Sequence, residues 1–298
     1  MADLSLFQPN ARIGIWGMGL LGGAVGLALK KRGHRGRIVG IGRNPARLAV
    51  ARHLGACDET SDAPDSVVPD LDFLVLCVPV DSVLPLLASV KAWLHEGLTL
   101  TDVGSTKGRL VHEIDELVSQ SPARYVGSHP MAGSEKTGVE ASTPDLYVNA
   151  TVAVTPTAAT RPGALEFVTA FWERLGAKVI TLEPALHDRL VAATSHVPHL
   201  VGALLCQLLA RRQREGRPYR SMIGNGFLDT TRVAAGDPVM WRDILVHNRD
   251  EIAAGLFELR DLLDELLAAL RHADGPALEK MLADAAEVRK GLERCPSS

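Results

Sequence analysis

Residues 12–23, Arg-Ile-Gly-Ile-Trp-Gly-Met-Gly-Leu-Leu-Gly-Gly, run from a short apolar stretch through Gly17-x-Gly19-x-x-Gly22 into helix-forming residues. Each glycine answers a separate steric demand. Gly17 permits a tight turn, Gly19 lets backbone N–H groups approach a pyrophosphate, and Gly22 lets the following helix pack closely on the strand. The phosphates then sit at the positive end of that helix, beside Leu20 and Leu21. The helix, expected over 20–32, closes with Lys30, Lys31, Arg32 and Gly33, a proper stop signal. That context separates a dinucleotide-binding loop from an ordinary strand-turn-helix.

An acidic residue is expected about 20 positions further on, where it would hold the adenosine ribose. It is missing. The second strand, Arg37-Ile-Val-Gly-Ile41, ends in Gly42, Arg43 and Asn44. A carboxylate there would repel a 2′-phosphate, whereas glycine leaves room for it and Arg43 offers a fork of donors. NADP is therefore expected over NAD. The alternative is a solvated loop arginine.

Downstream, apolar runs at 71–79, 98–103 and 125–127 alternate with helical stretches, the first after a helix at 45–54. Near-continuous apolar strands alternating with helices predict a parallel sheet covered on both faces, a doubly wound α/β domain of Rossmann type. Ligands on such sheets bind beyond the carboxyl ends of the strands. That singles out Val78 and Pro79 for the cofactor, and the turns at 102–107 and 128–135 for a substrate. Two more strands, at 149–155 and 178–182 around a helix at 162–175, are expected to extend this domain to residue 183. Residues 184–298 read as an all-α domain for substrate and dimerisation. Within it, residues 200–210 are apolar on nearly all sides, as in a helix buried in a bundle or across a subunit interface.

The chain's size, 298 residues with 46% hydrophobic content, suits one large domain or two smaller ones. A formal charge of −3, with no basic run interleaved with aromatics, gives no footprint for nucleic acid. The N-terminus lacks a signal-peptide pattern and no stretch approaches ~18 uninterrupted apolar residues, so a cytoplasmic protein without a membrane span is expected. Cys57, Cys77, Cys206 and Cys295 show no metal-ligand or redox spacing and are expected as thiols.

Four features fall where a substrate pocket would form. His129, in Gly127-Ser-His-Pro130 just past a strand end, could take a hydroxyl proton as hydride leaves the same carbon; a loop histidine beside proline is also an ordinary structural feature. Ser105, in Asp102-Val-Gly-Ser-Thr-Lys107, could orient the same hydroxyl or cap the next helix. His196 and His199 lie three apart on one helix face, and Pro198 between them leaves the Thr194 carbonyl without its donor, so a kink is expected. A third metal ligand is lacking, so one histidine is expected to face substrate and the other to be satisfied by backbone. Arg232 or Arg242 could clamp a carboxylate bidentately.

In order, Gly17-x-Gly19-x-x-Gly22, Asp102-x-Gly-Ser-x-Lys107, Ser128-His-Pro-x-Ala-Gly-Ser-Glu135, Ser195-His-x-Pro-His199 and Asp229-x-Thr-Arg232 with Asp237-Pro-x-x-Trp241 resemble the prephenate and arogenate dehydrogenases of tyrosine biosynthesis. The resemblance spans nearly the whole chain. It implies that His129 bonds the substrate's ring hydroxyl with help from Ser105, that His199 and Arg232 face the substrate, and that Ser134 and Glu135 line the pocket entrance. It also implies hydride transfer to NADP or NAD with loss of the ring carboxylate as CO₂; the apolar helix at 200–210, too large for one small domain to cover, separately suggests a homodimer. Gly42-Arg43 departs from the acidic residue of NAD-using members. The chain is also expected to lack the added regulatory or mutase domain of some relatives, so feedback by tyrosine, if present, is expected to act at the active site. A β-hydroxyacid or imine reductase would share the glycine loop but have no use for both histidine motifs and Arg232. A non-catalytic NADP sensor would tolerate loss of His129.

Overall fold

A computed structural model describes residues 10–133 and 136–294. In the N-terminal half, β1 (Ile13–Trp16), α1 (Leu20–Lys31), β2 (Ile38–Ile41), α2 (Pro45–His53), β3 (Glu59–Ser61), β4 (Phe73–Leu76), α3 (Val80–Ser89), β5 (Thr99–Asp102), α4 (Gly108–Ser119) and β6 (Arg124–Tyr125) build a parallel six-stranded sheet in the order β3-β2-β1-β4-β5-β6. This is the doubly wound order, with its crevice where the chain reverses direction between β1 and β4. The edge strand β3, Glu-Thr-Ser, is too short and polar to announce itself in the sequence.

Alternation sorts the central strands. Ile13, Ile15, Phe73 and Val75 face a core under α1 and α2, while Trp16, Leu74, Leu76 and Leu100 face one under α3 and α4. Burying each such side chain contributes roughly 1.5–3 kcal/mol.

The apolar run at 125–127 is not one strand. After Tyr125 the chain leaves the first sheet and pairs as β7 (Gly127–Pro130) with β8 (Thr151–Thr155), antiparallel, and β8 pairs in parallel with β9 (Lys178–Thr181) beyond α5 (Ala164–Arg174). The strands at 149–155 and 178–182 thus extend the domain through a second sheet. Val152, Val154, Phe171 and Trp172 share the core of Ile13 and Ile15, which makes the two sheets one packed body. One consequence is that His129 stands inside a strand, not in a loop past one.

The helical half comprises α6 (Pro184–Val191), a π-helical turn (Ala192–His196), α7 (Val197–Gln213), α8 (Asn225–Thr231), α9 (Pro238–His247), α10 (Arg249–Arg271) and α11 (Gly275–Arg294). The irregularity expected from Pro198 takes the form of this π turn, a feature frequent at functional sites. Residues 200–210 are not enclosed by their own chain: on α7 only His199 and Gly202 are buried, and Leu204 and Leu208 are 55% and 53% exposed. Within the chain, the bundle reading of that helix fails, which leaves the interface reading. Within the continuous helical stretch Pro184–Gln213 an 18-residue window reaches a mean hydropathy of 1.2, enough by length and composition alone to cross a membrane.

Candidate active site

The glycine loop is built as its spacing predicts. Gly17 has φ of +103°, and a Cβ there would lie 2.2 Å from the Cys77 carbonyl oxygen. A Cβ on Gly22 would lie 2.0 Å from the Gly17 oxygen, so α1 rests directly on the turn. Gly19, the N-cap of α1, has nothing within 4 Å, leaving open space in front of the free N–H groups of the first turn. This cradle fits a dinucleotide diphosphate. Ser142 and Tyr147 hold it from outside, donating to the carbonyls of Leu20 and Leu21 at 2.7 and 2.8 Å. Val78 and Pro79 follow β4 and lead into α3, with Val78 against Gly17. At the end of β2, Arg43 is exposed, as is Arg47 one turn into α2, and no carboxylate pairs with either among the described residues.

The turn after β5 is shaped by a fully buried ion pair. Asp102 Oδ2 accepts from Lys107 Nζ at 2.5 Å and from the Gly104 N–H at 2.8 Å, and Oδ1 accepts from the Tyr125 hydroxyl at 2.9 Å. These contacts explain the Asp and Lys of Asp102-x-Gly-Ser-x-Lys107 and leave Ser105 at the tip of the turn. Ser105 does not cap α4. Instead Asp188 of α6 accepts from the N–H groups of Lys107 and Gly108, both at 2.7 Å. An aspartate from the helical half therefore caps a helix of the nucleotide half, a pairing that no local pattern announces.

His129 is set by its neighbours. Ser128 Oγ donates to the Asp102 carbonyl at 2.6 Å and accepts from Trp172 Nε1 at 3.0 Å, stitching β7 to the end of β5. His129 Nδ1 lies 2.9 Å from His187 Nε2, and His187 Nδ1 lies 2.8 Å from Asp188 Oδ1. Burial pushes the His129 imidazole well below the ordinary histidine range, and the nearby His187, Lys107 and His196 push the same way. It is neutral near pH 7.

A cavity of about 370 Å³ opens between the two halves. Its lining brings together four of the residues singled out in the sequence: Ser105, His129, His196 and Arg232. Ser195, Met240 and Trp241 complete the wall on the helical side. His199 does not border the cavity; it lies beneath Trp241, ring centroids 3.4 Å apart and planes within 12°. Arg242 is engaged by its neighbour Asp243, at 2.5 and 2.8 Å. Ser134 and Glu135 lie outside the described residues. No cluster of metal-ligating side chains occurs among the described residues. Sequence reasoning missed His187, Asp188 and Asn248. His187-Asp188 inside an amphipathic helix reads as ordinary helix polarity, and only the chain reversal reveals their partners.

An open diphosphate cradle, a neutral buried histidine at a cavity beside it, and a second helical half that closes the pocket define a nicotinamide-dependent dehydrogenase. The comparisons agree. Residues 25–181 match the family model of the prephenate dehydrogenase nucleotide-binding domain, and residues 183–284 that of the prephenate dehydrogenase dimerization domain. The chain is 33% identical to a Bacillus subtilis prephenate dehydrogenase over 288 residues, 96% of this chain and 77% of that one. It superposes with a TM-score of 0.86 and 32% identity on an Aquifex aeolicus prephenate dehydrogenase solved with hydroxyphenyl propionate and NAD⁺, covering 94% of this chain and 98% of that one. The Synechocystis arogenate dehydrogenase gives 0.80 and 29%, over 94% and 99% of the two chains. The chain belongs to the prephenate dehydrogenase family.

Proposed function

We propose that this chain carries out the oxidative decarboxylation of prephenate, or of its amino counterpart arogenate, with His129 as the base and NADP as the preferred hydride acceptor. The observation that carries the reading is the committed Nδ1 of His129. Asp188 can only accept, so His187 Nδ1 donates to it and His187 Nε2 is left as an acceptor. His129 must then donate through Nδ1, which leaves the lone pair on Nε2 for the cavity. A neutral imidazole with its acceptor nitrogen toward the substrate is what proton removal from a hydroxyl requires.

NADP or NAD held on the Gly17–Gly22 cradle would supply the acceptor for the hydride that leaves the hydroxyl-bearing ring carbon. As it leaves, His129 Nε2 draws off the hydroxyl proton, with Ser105 orienting that oxygen. Cleavage of the bond to the ring carboxylate releases CO₂, and its electron pair completes the aromatic ring. Arg232 pairs with a substrate carboxylate, and His199 supports the pocket through Trp241. Arg43, with Arg47 one turn on, receives the 2′-phosphate. The exposed leucines of α7 and the apolar positions of α10 and α11 meet a second copy in a homodimer, and the enzyme works in the cytoplasm.

The test follows NADPH and NADH absorbance with prephenate, arogenate and simple 2-hydroxy acids, alongside His129→Asn. Turnover with a cyclohexadienyl substrate, faster with NADP, is expected. His129→Asn should lose about 10²- to 10⁴-fold in kcat while still binding cofactor. Unchanged turnover in His129→Asn refutes the role of the base, and a clear preference for NAD refutes the role of Arg43.

A further inference from the structure

His196 borders the same cavity as His129, but its environment is the reverse. Asn248, the N-cap of α10, places its Nδ2 2.8 Å from the Asp188 carbonyl oxygen and 3.1 Å from His196 Nδ1. A backbone carbonyl can only accept, so the amide nitrogen, not the amide oxygen, must face it, whichever way the side chain is first drawn. The second hydrogen of the same NH₂ then points at His196 Nδ1, which has to accept it. A neutral imidazole that accepts at Nδ1 carries its hydrogen on Nε2. No described residue hydrogen-bonds that Nε2–H, and His196 is otherwise buried, with its ring edge-on to Trp241.

We propose that Asp188 sets two opposed tautomers from its two ends, and that Asn248 is the positioning residue that makes His196 a neutral hydrogen-bond donor to a carboxylate oxygen of the substrate. The side chain of Asp188, through His187, makes His129 an acceptor; its main chain, through Asn248, makes His196 a donor. The identity of the acceptor rests on the dehydrogenase reading above. A substrate with two carboxylates needs more than Arg232, and Lys107 is sealed against Asp102, so neutral donors must meet the second. A neutral donor holds a departing carboxylate without the strong ground-state stabilisation that a cation would give it. The titratable groups facing His196 are Asp188 and His187 of α6, His199 of α7 and His129 of β7. Burial nevertheless pushes its imidazole down to about 4, which keeps it neutral at working pH.

Two measurements test this. In two-bond ¹H–¹⁵N spectra of the full protein carrying ¹⁵N-histidine, with His196 assigned by its loss in His196→Gln, Nε2 should be protonated and Nδ1 bare; a protonated Nδ1 overturns the proposal without reference to activity. The second is Asn248→Asp, whose carboxylate forces His196 to donate through Nδ1. Below its raised pKa the imidazolium still offers Nε2–H, but above it Nε2 becomes an acceptor. The KM for substrate should therefore climb with pH by about 10- to 100-fold relative to wild type, with kcat changing less. A KM that tracks the wild type across pH overturns the proposal. NADPH binding reports that the variant is folded. If it is not, His196→Gln, which keeps a donor near the Nε2 position, should raise KM less than His196→Leu, and equal losses overturn the proposal. Failure of the wild type to turn over prephenate or arogenate would sink the substrate reading alone, because the tautomer spectrum stands apart from it.

Discussion

Gly19→Ala and Gly22→Ala alter one motif three residues apart, and the structure predicts opposite failures. At Gly22 the new Cβ would sit 2.0 Å from the Gly17 oxygen, 3.0 Å from Ile15 Cγ2 and 3.1 Å from Cys77 Cβ. The closest of these atoms is a backbone oxygen, and the other two are side-chain atoms one or two bonds from the backbone, so α1 must withdraw by roughly 1 Å or more to restore contact distance. That helix carries Ala24, Val25, Ala28 and Leu29, all fully buried. Overpacking of this kind costs about 1–3 kcal/mol. At roughly 2–4 °C per kcal/mol, the melting temperature should fall by several degrees. At Gly19, φ is −96° and space is open, so alanine is sterically free. The weaker N-cap and the stiffer unfolded chain nearly offset each other, leaving stability within about 1 kcal/mol. The methyl group instead enters the space in front of the first-turn N–H groups. Losing one hydrogen bond to a charged diphosphate costs about 1.5–3 kcal/mol, or roughly 10- to 150-fold in affinity. Thermal melts without cofactor and NADPH fluorescence titrations separate the two effects. If Gly19→Ala bound NADPH as tightly as the wild type, the diphosphate would not lie on α1 and the cofactor assignment would fall.

Three further outcomes follow. Lys107→Met strands the Asp102 carboxylate in a fully buried site and should cost about 3–5 kcal/mol in urea unfolding; a loss below about 1 kcal/mol would show that the charges do not support each other there. Because His196 is neutral when folded, with a value of about 4 against 6.5 unfolded, the unfolded state binds the extra proton, so its share of stability, about 3 kcal/mol, is present above pH 6.5 and lost as pH falls toward 4. His129 and His34 are lowered in the same direction, so a urea midpoint flat from pH 7 to 4.5 would contradict the buried neutral histidines. The double change Leu204→Glu with Leu208→Glu should convert a dimer to monomers in sedimentation velocity with the nucleotide half still folded, and a dimer unchanged in size would move the interface off α7.

What was legible in the sequence is what acts over short spans. Gly17, Gly19 and Gly22 each satisfy a constraint set within a few residues, and the runs at 71–79 and 98–103 are buried on both faces by a rule of period and composition alone. The break after Tyr125 was not legible, because it depends on Ser128 reaching the Asp102 carbonyl and Trp172, which lies 44 residues further along the chain. Ser105, His129 and His196 could be named as candidates, but neither histidine could be given a tautomer. The partner of His129 is His187, held by Asp188, 81 residues from the backbone N–H of Lys107 that it caps, and the partner of His196 is Asn248, 60 residues beyond Asp188. A histidine's chemical type is written at its own position, whereas its tautomer is written wherever its second nitrogen finds a partner. The helical half therefore does more than close the pocket. Asp188 of α6 docks against the turn that carries Ser105, and Asn248 at the start of α10 docks against Asp188, so in the proposed mechanism this half sets which of two cavity histidines would take a proton and which would give one. A chimera that kept every motif residue but lost this docking would keep the cradle and lose the chemistry.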